Sequence, residues 1–251
     1  MFIYSCEKNL ESILTTIYEA WNSKRGHENI KIIFEPVGQI DIFNEYIHVD
    51  KDDSKAQAVM DAINKKISQW FYSRLAYASM SHEDDVADII YHVMILGFHY
   101  GESVLDMTNF RDIMRFEEIC KGLSREVNRF QEVLRFHEIS KETYVAHIEP
   151  KSKIVIALGP IFSDRMPSEN FIIVDDVHRE AIIHPKNEEC YLKILNDEEF
   201  INSLKTEEVN DEYTDMWKVF FDTIAIKERQ NTKCQNNLFP KWTRKHAVEF
   251  M

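Results

Sequence analysis

Apolar residues in the first half of the chain recur mainly at helical spacing. They fall at intervals of three and four positions from Leu10 to Trp21, which predicts a helix with Asn9 as its N-cap. Two short apolar runs, residues 2–4 and 30–34, instead predict strands, and residues 39–49 are expected to be extended. The opening of the chain therefore mixes both element types.

Further helices are predicted up to about residue 133. A charged start at residues 50–54 and an apolar stripe ending at Leu75 predict one long helix. Ser81 opens a sequence that resembles a capping box, which predicts the start of a third helix. Asn109 marks the start of a fourth helix, and Ser124 is a candidate cap for a fifth.

The periodicity changes at about Leu134. Residues 134–139 and 143–148 alternate like two strands of a hairpin, and residues 171–174, 181–184 and 190–194 predict a meander. Residues 151–165 fit either a strand or one face of a helix. A short helix is expected at 197–204 and a longer one at 209–229, and the polar chain after Asn231 is expected to form no element.

This order of elements predicts an α+β protein with a single domain. Residues 1–133 are expected to be helical, a mainly antiparallel sheet is expected from residues 134–195, and a C-terminal helix with a basic tail is expected over 196–251.

Charge is distributed unevenly along the 251 residues. The net charge is −13, yet residues 227–246 hold six Lys or Arg against one Glu, a local net charge of +5. A basic tail on an acidic body indicates a localised anion-binding surface. The alternative is a tail that docks on its own acidic body.

Several classes of protein are excluded by what the sequence lacks. No apolar run approaches the length of a membrane span, and the first residues do not resemble a secretion signal. The four cysteines form no C-x-x-C pair, so reduced thiols and a cytoplasmic location are expected. Glycine-rich phosphate-binding motifs and the common hydrolase motifs are missing as well, so no cofactor is predicted and no catalytic residue is assigned.

The predicted hairpin contains one group of residues of the types that bind metal ions. If residue 137 pairs with residue 145, then Arg135, His137, His147 and Glu149 share a face, and two histidines with a carboxylate can hold a divalent metal. A slip of one residue would place the histidines on opposite faces. Only the spacing supports a metal, so we favour a solvated polar face and predict no metal site.

Blocks spread over nearly the whole chain resemble a known family. They are Ile3-Tyr-Ser-Cys-Glu-Lys-Asn-Leu-Glu-Ser-Ile and the residues that follow it to Ala20, then 126–138 with R-F-x-x-x-L-R-F, then I-E-P at 148–150, then 159–167 with P-x-F-x-D-R-x-P, then 171–179, 217–231 and 239–242. Ser5-Cys6 stands where the family usually has Asp-Gly. The family is a bacterial one of DNA metabolism and DNA repair proteins, encoded beside a radical-SAM DNA modification or repair protein and joined elsewhere to uracil-DNA-glycosylase-like domains.

The resemblance implies an accessory protein that binds nucleic acid and cooperates with the radical-SAM partner. Single-stranded or damaged DNA is a better candidate than intact duplex. Two alternatives are an enzyme with its own nucleotide- or base-directed active site and an interaction subunit that does not contact DNA.

Basic and aromatic residues within the matching blocks and the tail are the candidates for nucleic-acid contacts. Arginine suits phosphate because its planar fork binds two oxygens, and an aromatic ring can stack on an unpaired base. An alternative is that Arg165 and Arg179 pair internally with Asp164, Asp176 or Glu149. The candidate residues are Arg129, Arg135, Arg165, Arg179, Lys227, Arg229, Lys241, Trp242, Arg244 and Lys245.

Overall fold

A computed structural model describes residues 1–38, 40–140, 142–196, 198, 204, 212–229 and 231–247. Contacts group the chain into two compact units, unit 1 (Met1–Leu123) and unit 2 (Ser124–Met251). Each unit combines helices with a β-sheet, which confirms the predicted α+β class. The assignment of one domain stays a prediction. None of the helices in the described ranges has the length and apolar character needed to cross a membrane.

Unit 1 contains a three-stranded sheet that the sequence analysis did not assemble. Its strands are β1 (Phe2–Cys6), β2 (Ile30–Phe34) and β3 (Glu45–His48), in the order β2-β1-β3, and both pairings are parallel. The central strand β1 is buried on both faces, since the successive residues Ile3 and Tyr4 are both almost inaccessible. The strands predicted at residues 2–4 and 30–34 are confirmed, and β3 lies within the stretch 39–49 that was expected to be extended, so the general description of residues 1–133 as helical omits this sheet.

The helix boundaries in unit 1 follow the N-cap residues rather than the lengths of the apolar stripes. They are α1 (Leu10–Asn22), α2 (Asp53–Lys66), α3 (Gln69–Ser79) and α4 (Val86–Tyr100). The Asn9 side chain accepts a hydrogen bond from the backbone of Ser12, which confirms the predicted cap.

Two helix predictions are wrong, one in the length of a helix and one in its start. The long helix expected up to Leu75 is two helices, because Ser68 caps α3 by accepting a hydrogen bond from the Phe71 backbone N–H. The third helix does not start at Ser81, since α4 begins only at Val86.

The boundary between the units lies within α5 (Arg111–Val133), a continuous helix of 23 residues. Ser124 lies in its interior and is not the cap of a separate fifth helix. The reason is that one buried apolar stripe continues through this position. The stripe consists of Ile113, Phe116, Cys120, Leu123, Val127 and Phe130.

Unit 2 is built on a five-stranded sheet in the order β4-β5-β6-β7-β8. Its elements are β4 (His137–Ser140), β5 (Thr143–Ile148), α6 (Val155–Arg165), β6 (Asn170–Asp175), β7 (Glu180–His184) and β8 (Tyr191–Ile194). Three pairings are antiparallel and the β5–β6 pairing is parallel, so the mainly antiparallel prediction matches only in part. The ambiguous segment is the helix α6, which supplies the crossover that a parallel pair requires.

Close packing fixes α6 on the sheet. A side chain on Gly159 would clash with Ile182 on β7, so the helix can approach the strand only because this residue lacks one. The same glycine faces the sulfur of Cys190. The helix α6 is thereby held close against β7 within unit 2.

The C-terminal part contains α7 (Glu212–Ile224) and α8 (Thr232–Leu238). The expectation that no element follows Asn231 is wrong, because the Asn231 side chain caps α8 by accepting a hydrogen bond from the Cys234 backbone. The short helix expected at 197–204 lies outside the described residues except for Glu198 and Leu204.

Candidate nucleic-acid interface

Trp242 is the centre of the candidate interface in unit 2. Its ring is half-buried and packs on Phe130 of α5 with a centroid separation of 5.8 Å. Two cations face the same ring, with the Arg129 guanidinium 5.7 Å and the Lys151 ammonium 5.1 Å from the ring centroid. Both distances fall within the range of a cation–π contact. We call these four residues, Arg129, Phe130, Lys151 and Trp242, the Trp242 platform.

A buried carboxylate positions one of the two cations. Glu126 lies one helical turn before Phe130 on α5, and its Oε1 accepts hydrogen bonds from the backbone N–H groups of Lys151 (2.7 Å) and Ser152 (3.2 Å). Glu126 is 6% exposed, so its negative charge is compensated by these donors rather than by water. The loop before α6 is thereby fixed, and Lys151 projects from a rigid backbone.

Arg244 stabilises the C-terminal segment itself. Its Nε donates to the Phe239 carbonyl oxygen (2.8 Å), and its terminal nitrogen donates to the carbonyl oxygen of Gln235 (3.1 Å). Both acceptors lie at the end of α8, where a helix leaves carbonyl groups without intrahelical partners. The Arg244 guanidinium therefore caps α8, a role that the sequence analysis did not consider.

Lys245 and His246 dock the segment on the end of β5. The Lys245 ammonium forms an ion pair with Glu149, and His246 Nε2 lies 3.5 Å from Glu149 Oε1. Ala247 is buried behind them. This part of the tail therefore follows the alternative considered from the sequence, in which basic residues dock on the acidic body.

His147 is held between two acceptors. Its Nδ1 lies 3.0 Å from Asp176 Oδ2, and its Nε2 lies 3.1 Å from the carbonyl oxygen of Leu204. Neither partner can donate a hydrogen, so only the doubly protonated imidazolium satisfies both contacts. The contact of His147 with Asp176 is an ion pair only when the ring is protonated.

The crevice beside these histidines is too small for a substrate. It is lined by His147, Glu149, Trp242 and His246 among others, and its volume is about 10 Å³. A cavity of this size holds about one water molecule. Residues of the C-terminal segment, among them Trp242 and His246, form part of the wall of this crevice.

The structure also answers the question of register in the hairpin. His137 pairs with Val145, which is the register that puts His137 and His147 on one face. His147 is nevertheless committed to Asp176 and Leu204. Across the described ranges, no group of three or more His, Cys, Asp or Glu side chains could hold a metal ion.

Two further candidate arginines, Arg135 and Arg179, lie outside the Trp242 platform. Arg135 donates to the carbonyl oxygens of Glu132 and Leu134 after the end of α5, and its guanidinium lies 5.6 Å from the Trp217 ring. Arg179 forms an ion pair with Glu198 (2.6 Å), a partner that the sequence analysis did not consider.

Arg165 is exposed at the end of α6, with its guanidinium 5.4 Å from the Phe162 ring. Arg229 and Lys241 are exposed in short turns that flank α8. The Lys227 side chain lies outside the described part of the chain. The structure thus brings Arg129 and Trp242 together. Lys241 directly precedes Trp242 in the sequence.

Sequence reasoning missed Lys151 and Glu126. Lys151 directly follows the matching block that ends at Pro150, so it was within reach of the motif argument. It was overlooked because the charge count considered only the C-terminal tail. Glu126 opens the matching block 126–138, but a lone carboxylate on a helix gives no sequence signal of its buried role.

The comparison with known families identifies the chain. A family model described as a domain of unknown function, DUF4130, matches residues 84–249. The chain belongs to the DUF4130 family. The match includes the whole Trp242 platform and the residues that dock the tail of this DUF4130 protein. No curated protein matches the sequence.

Proposed function

We propose that this DUF4130 protein is an accessory protein of DNA metabolism that binds nucleic acid through the Trp242 platform and cooperates with a radical-SAM DNA modification or repair protein. The observation that carries the proposal is the pair of cations, Arg129 and Lys151, aligned on one half-buried aromatic ring. Such a positively charged surface on a chain of net charge −13 is suited to bind an anion.

The lack of a carboxylate partner distinguishes the cations of the Trp242 platform from other candidate residues. Within the described ranges, neither Arg129 nor Lys151 forms an ion pair with a carboxylate, whereas Lys245 is paired with Glu149 and Arg179 with Glu198. A phosphate would supply the missing negative partner. We therefore assign phosphate contacts to Arg129, Lys151 and Lys241, and a supporting role to Arg244 and Lys245.

The remaining acidic surface favours single strands over duplex. A strand that is flexible can follow one small basic patch, whereas a rigid duplex brings more of its phosphates near the acidic body. The Trp242 ring is partly exposed, and an aromatic ring can stack on an unpaired base. Damaged DNA with a locally open strand meets both conditions.

The test is DNA binding as a function of salt. Phosphate contacts release counterions, so the affinity for a single strand falls with salt at a slope of about −0.7 per contact. Substituting Arg129, Lys151 and Lys241 together by Ala should weaken binding to a single-stranded oligonucleotide and flatten this slope by about two units.

A matched variant controls for the loss of three charges. Lys31, Lys65 and Lys121 are exposed in unit 1, and their joint substitution by Ala should leave the salt slope unchanged. If the platform variant binds like the parent at every salt concentration, the platform is structural and the interaction-subunit alternative replaces this proposal.

The proposed contact with the radical-SAM partner rests on a different element, the helix α7. Large apolar side chains on this helix are strongly exposed, among them Met216 at 61%, Val219 at 66% and Ile224 at 57%. Contiguous apolar surface of this kind is typical of protein interfaces. We propose that the radical-SAM partner covers α7.

Co-purification with that partner tests this assignment. Val219→Glu should abolish co-purification, because burying an unpaired carboxylate in an interface is unfavourable. Leu238→Glu is the control, since Leu238 is 75% exposed on α8 and lies outside the proposed contact. Equal retention of the partner by both variants would contradict the assignment.

A further inference from the structure

A groove in unit 1 is lined by three helices and is distinct from the Trp242 platform. Its volume is about 390 Å³, which is within the range of small-molecule sites. The floor is formed by the buried or nearly buried side chains of Ile17 on α1, Val59 on α2 and Met94 on α4. The small residues Ala58 and Ala62 on α2 leave the space open.

Aromatic rings form one wall of the groove. Trp21 and Phe98 meet edge to face with their centroids 5.4 Å apart. On its other side Trp21 contacts the His27 ring at 4.7 Å, and His27 Nδ1 lies 2.7 Å from the hydroxyl of the buried Tyr91. This chain of contacts fixes the Trp21 ring, so the wall is formed before a ligand arrives.

A positive charge lies at the rim of the same groove. The Lys66 ammonium is 5.7 Å from the centroid of the Phe98 ring. Within the described ranges Lys66 has no ion pair with a carboxylate. Neither Asp61 nor Glu19 is among the lining residues, and Asp61 on α2 accepts a hydrogen bond from Gln57 while Glu19 on α1 is paired with Lys55. The mouth of the groove is therefore complementary to an anion.

We propose that this groove binds a small planar aromatic molecule that carries one carboxylate or phosphate group. The aromatic part lies against Trp21 and Phe98, because offset and edge-to-face contacts between rings are favourable. The anionic group pairs with Lys66, and the Asn22 side chain on the same rim can donate to it.

Calorimetry with 2-naphthoate on the full chain tests the proposal, and 2-naphthamide serves as its neutral analogue. We expect 2-naphthoate to bind about fivefold more tightly than the amide, as for one exposed ion pair. Lys66→Gln should remove this preference. Lys65→Gln, the neighbouring lysine that does not line the groove, should retain it.

Two variants that fill the groove test its location. Ala62→Trp should abolish binding of 2-naphthoate, and Ala58→Leu, a milder change at the exposed rim, covers the case in which the first variant does not fold. Circular dichroism checks folding. Binding at the parental level by a folded variant, or equal affinity for acid and amide, would overturn the proposal. The platform variant that lacks Arg129, Lys151 and Lys241 should bind 2-naphthoate like the parent, so this site fails or succeeds independently of DNA binding.

Discussion

Two clusters of histidines and carboxylates, one in each unit, use the same chemical groups with opposite results. In unit 1, His48 Nδ1 is hydrogen-bonded to Glu35 and its Nε2 lies 3.0 Å from Asp50. The hydrogen bond with Glu35 raises the pKa of His48, and in return the pKa of Glu35 is lowered, with a further hydrogen bond from Ser5. The His48 side chain is 52% exposed, so water solvates its charge as well.

In unit 2, His246 also lies near two carboxylates, Glu149 and Asp176. Here burial lowers the pKa of His246, and the attraction of Asp176 compensates only in part. The Nε2 atom of His246 is buried and has no hydrogen-bond partner among the described residues. Carboxylates near a histidine therefore do not by themselves set the direction of its pKa shift, because direct hydrogen bonding and access to water also act on it.

The largest expected effect is on the free energy of unfolding, which should fall when the unit 2 cluster loses a carboxylate but not when the unit 1 cluster does. Asp176→Ala removes the carboxylate partner of His147, whose side chain is only 16% exposed, and should lower the free energy of unfolding by about 1 kcal/mol. Asp50→Ala, at a side chain that is 95% exposed, should cause no measurable change. Urea unfolding at pH 7 measures both, and equal losses would show that burial does not separate the clusters.

A smaller effect concerns pH and His246. Because the pKa of His246 is lowered in the folded state, the unfolded chain binds the proton first as the pH falls. The stability that the neutral ring contributes is therefore complete above the ordinary pKa of about 6.5 and is lost below it.

His246→Gln should flatten the decline of stability between about pH 7 and pH 5. The measurement is the urea midpoint as a function of pH. The exposed Leu238 offers a control, since Leu238→Gln removes no titrating group and should leave the pH profile unchanged. A parental profile in the His246 variant would refute this expectation.

The smallest expected effect is a change in the pKa of His48 in unit 1. Glu35→Gln should lower the pKa of His48 towards its ordinary value, because the variant removes the largest cause of the increase. The stability linked to His48 is present below the unfolded pKa and is lost as the pH rises, so this variant should weaken that dependence. Proton NMR of the histidine rings measures it, and the parent should show a higher pKa for His48 than for His246.

Local sequence signals predicted much of the fold. The strand Ile30–Phe34, the Asn9 cap and the hairpin of β4 and β5 follow from the residues at those positions. Non-local pairing was harder to predict. Nothing local shows that β5 lies parallel to β6, or that β1 pairs with both β2 and β3, because the partners come from distant parts of the chain.

The candidate interface was likewise predictable only in part from the sequence. The sequence selected Arg129 and Trp242, which the structure brings into contact, and it overlooked Lys151 because that residue lies outside the basic tail. It also treated Arg244 and Lys245 as equals of these residues. Their partners, the end of α8 and Glu149, could not be recognised from charge alone.

The α+β class, the strands and helices with strong local signals, and a positive charge concentrated near the C-terminus can all be read from the order of the residues. Which of those charges are neutralised depends on contacts that form only in the folded protein. Lys245 meets Glu149 across 96 positions of the chain, whereas Arg129 and Lys151 meet the Trp242 ring and no carboxylate in the part of the chain that is described. Charge is a property of composition, but its availability for a ligand depends on which groups the fold brings within a few ångströms.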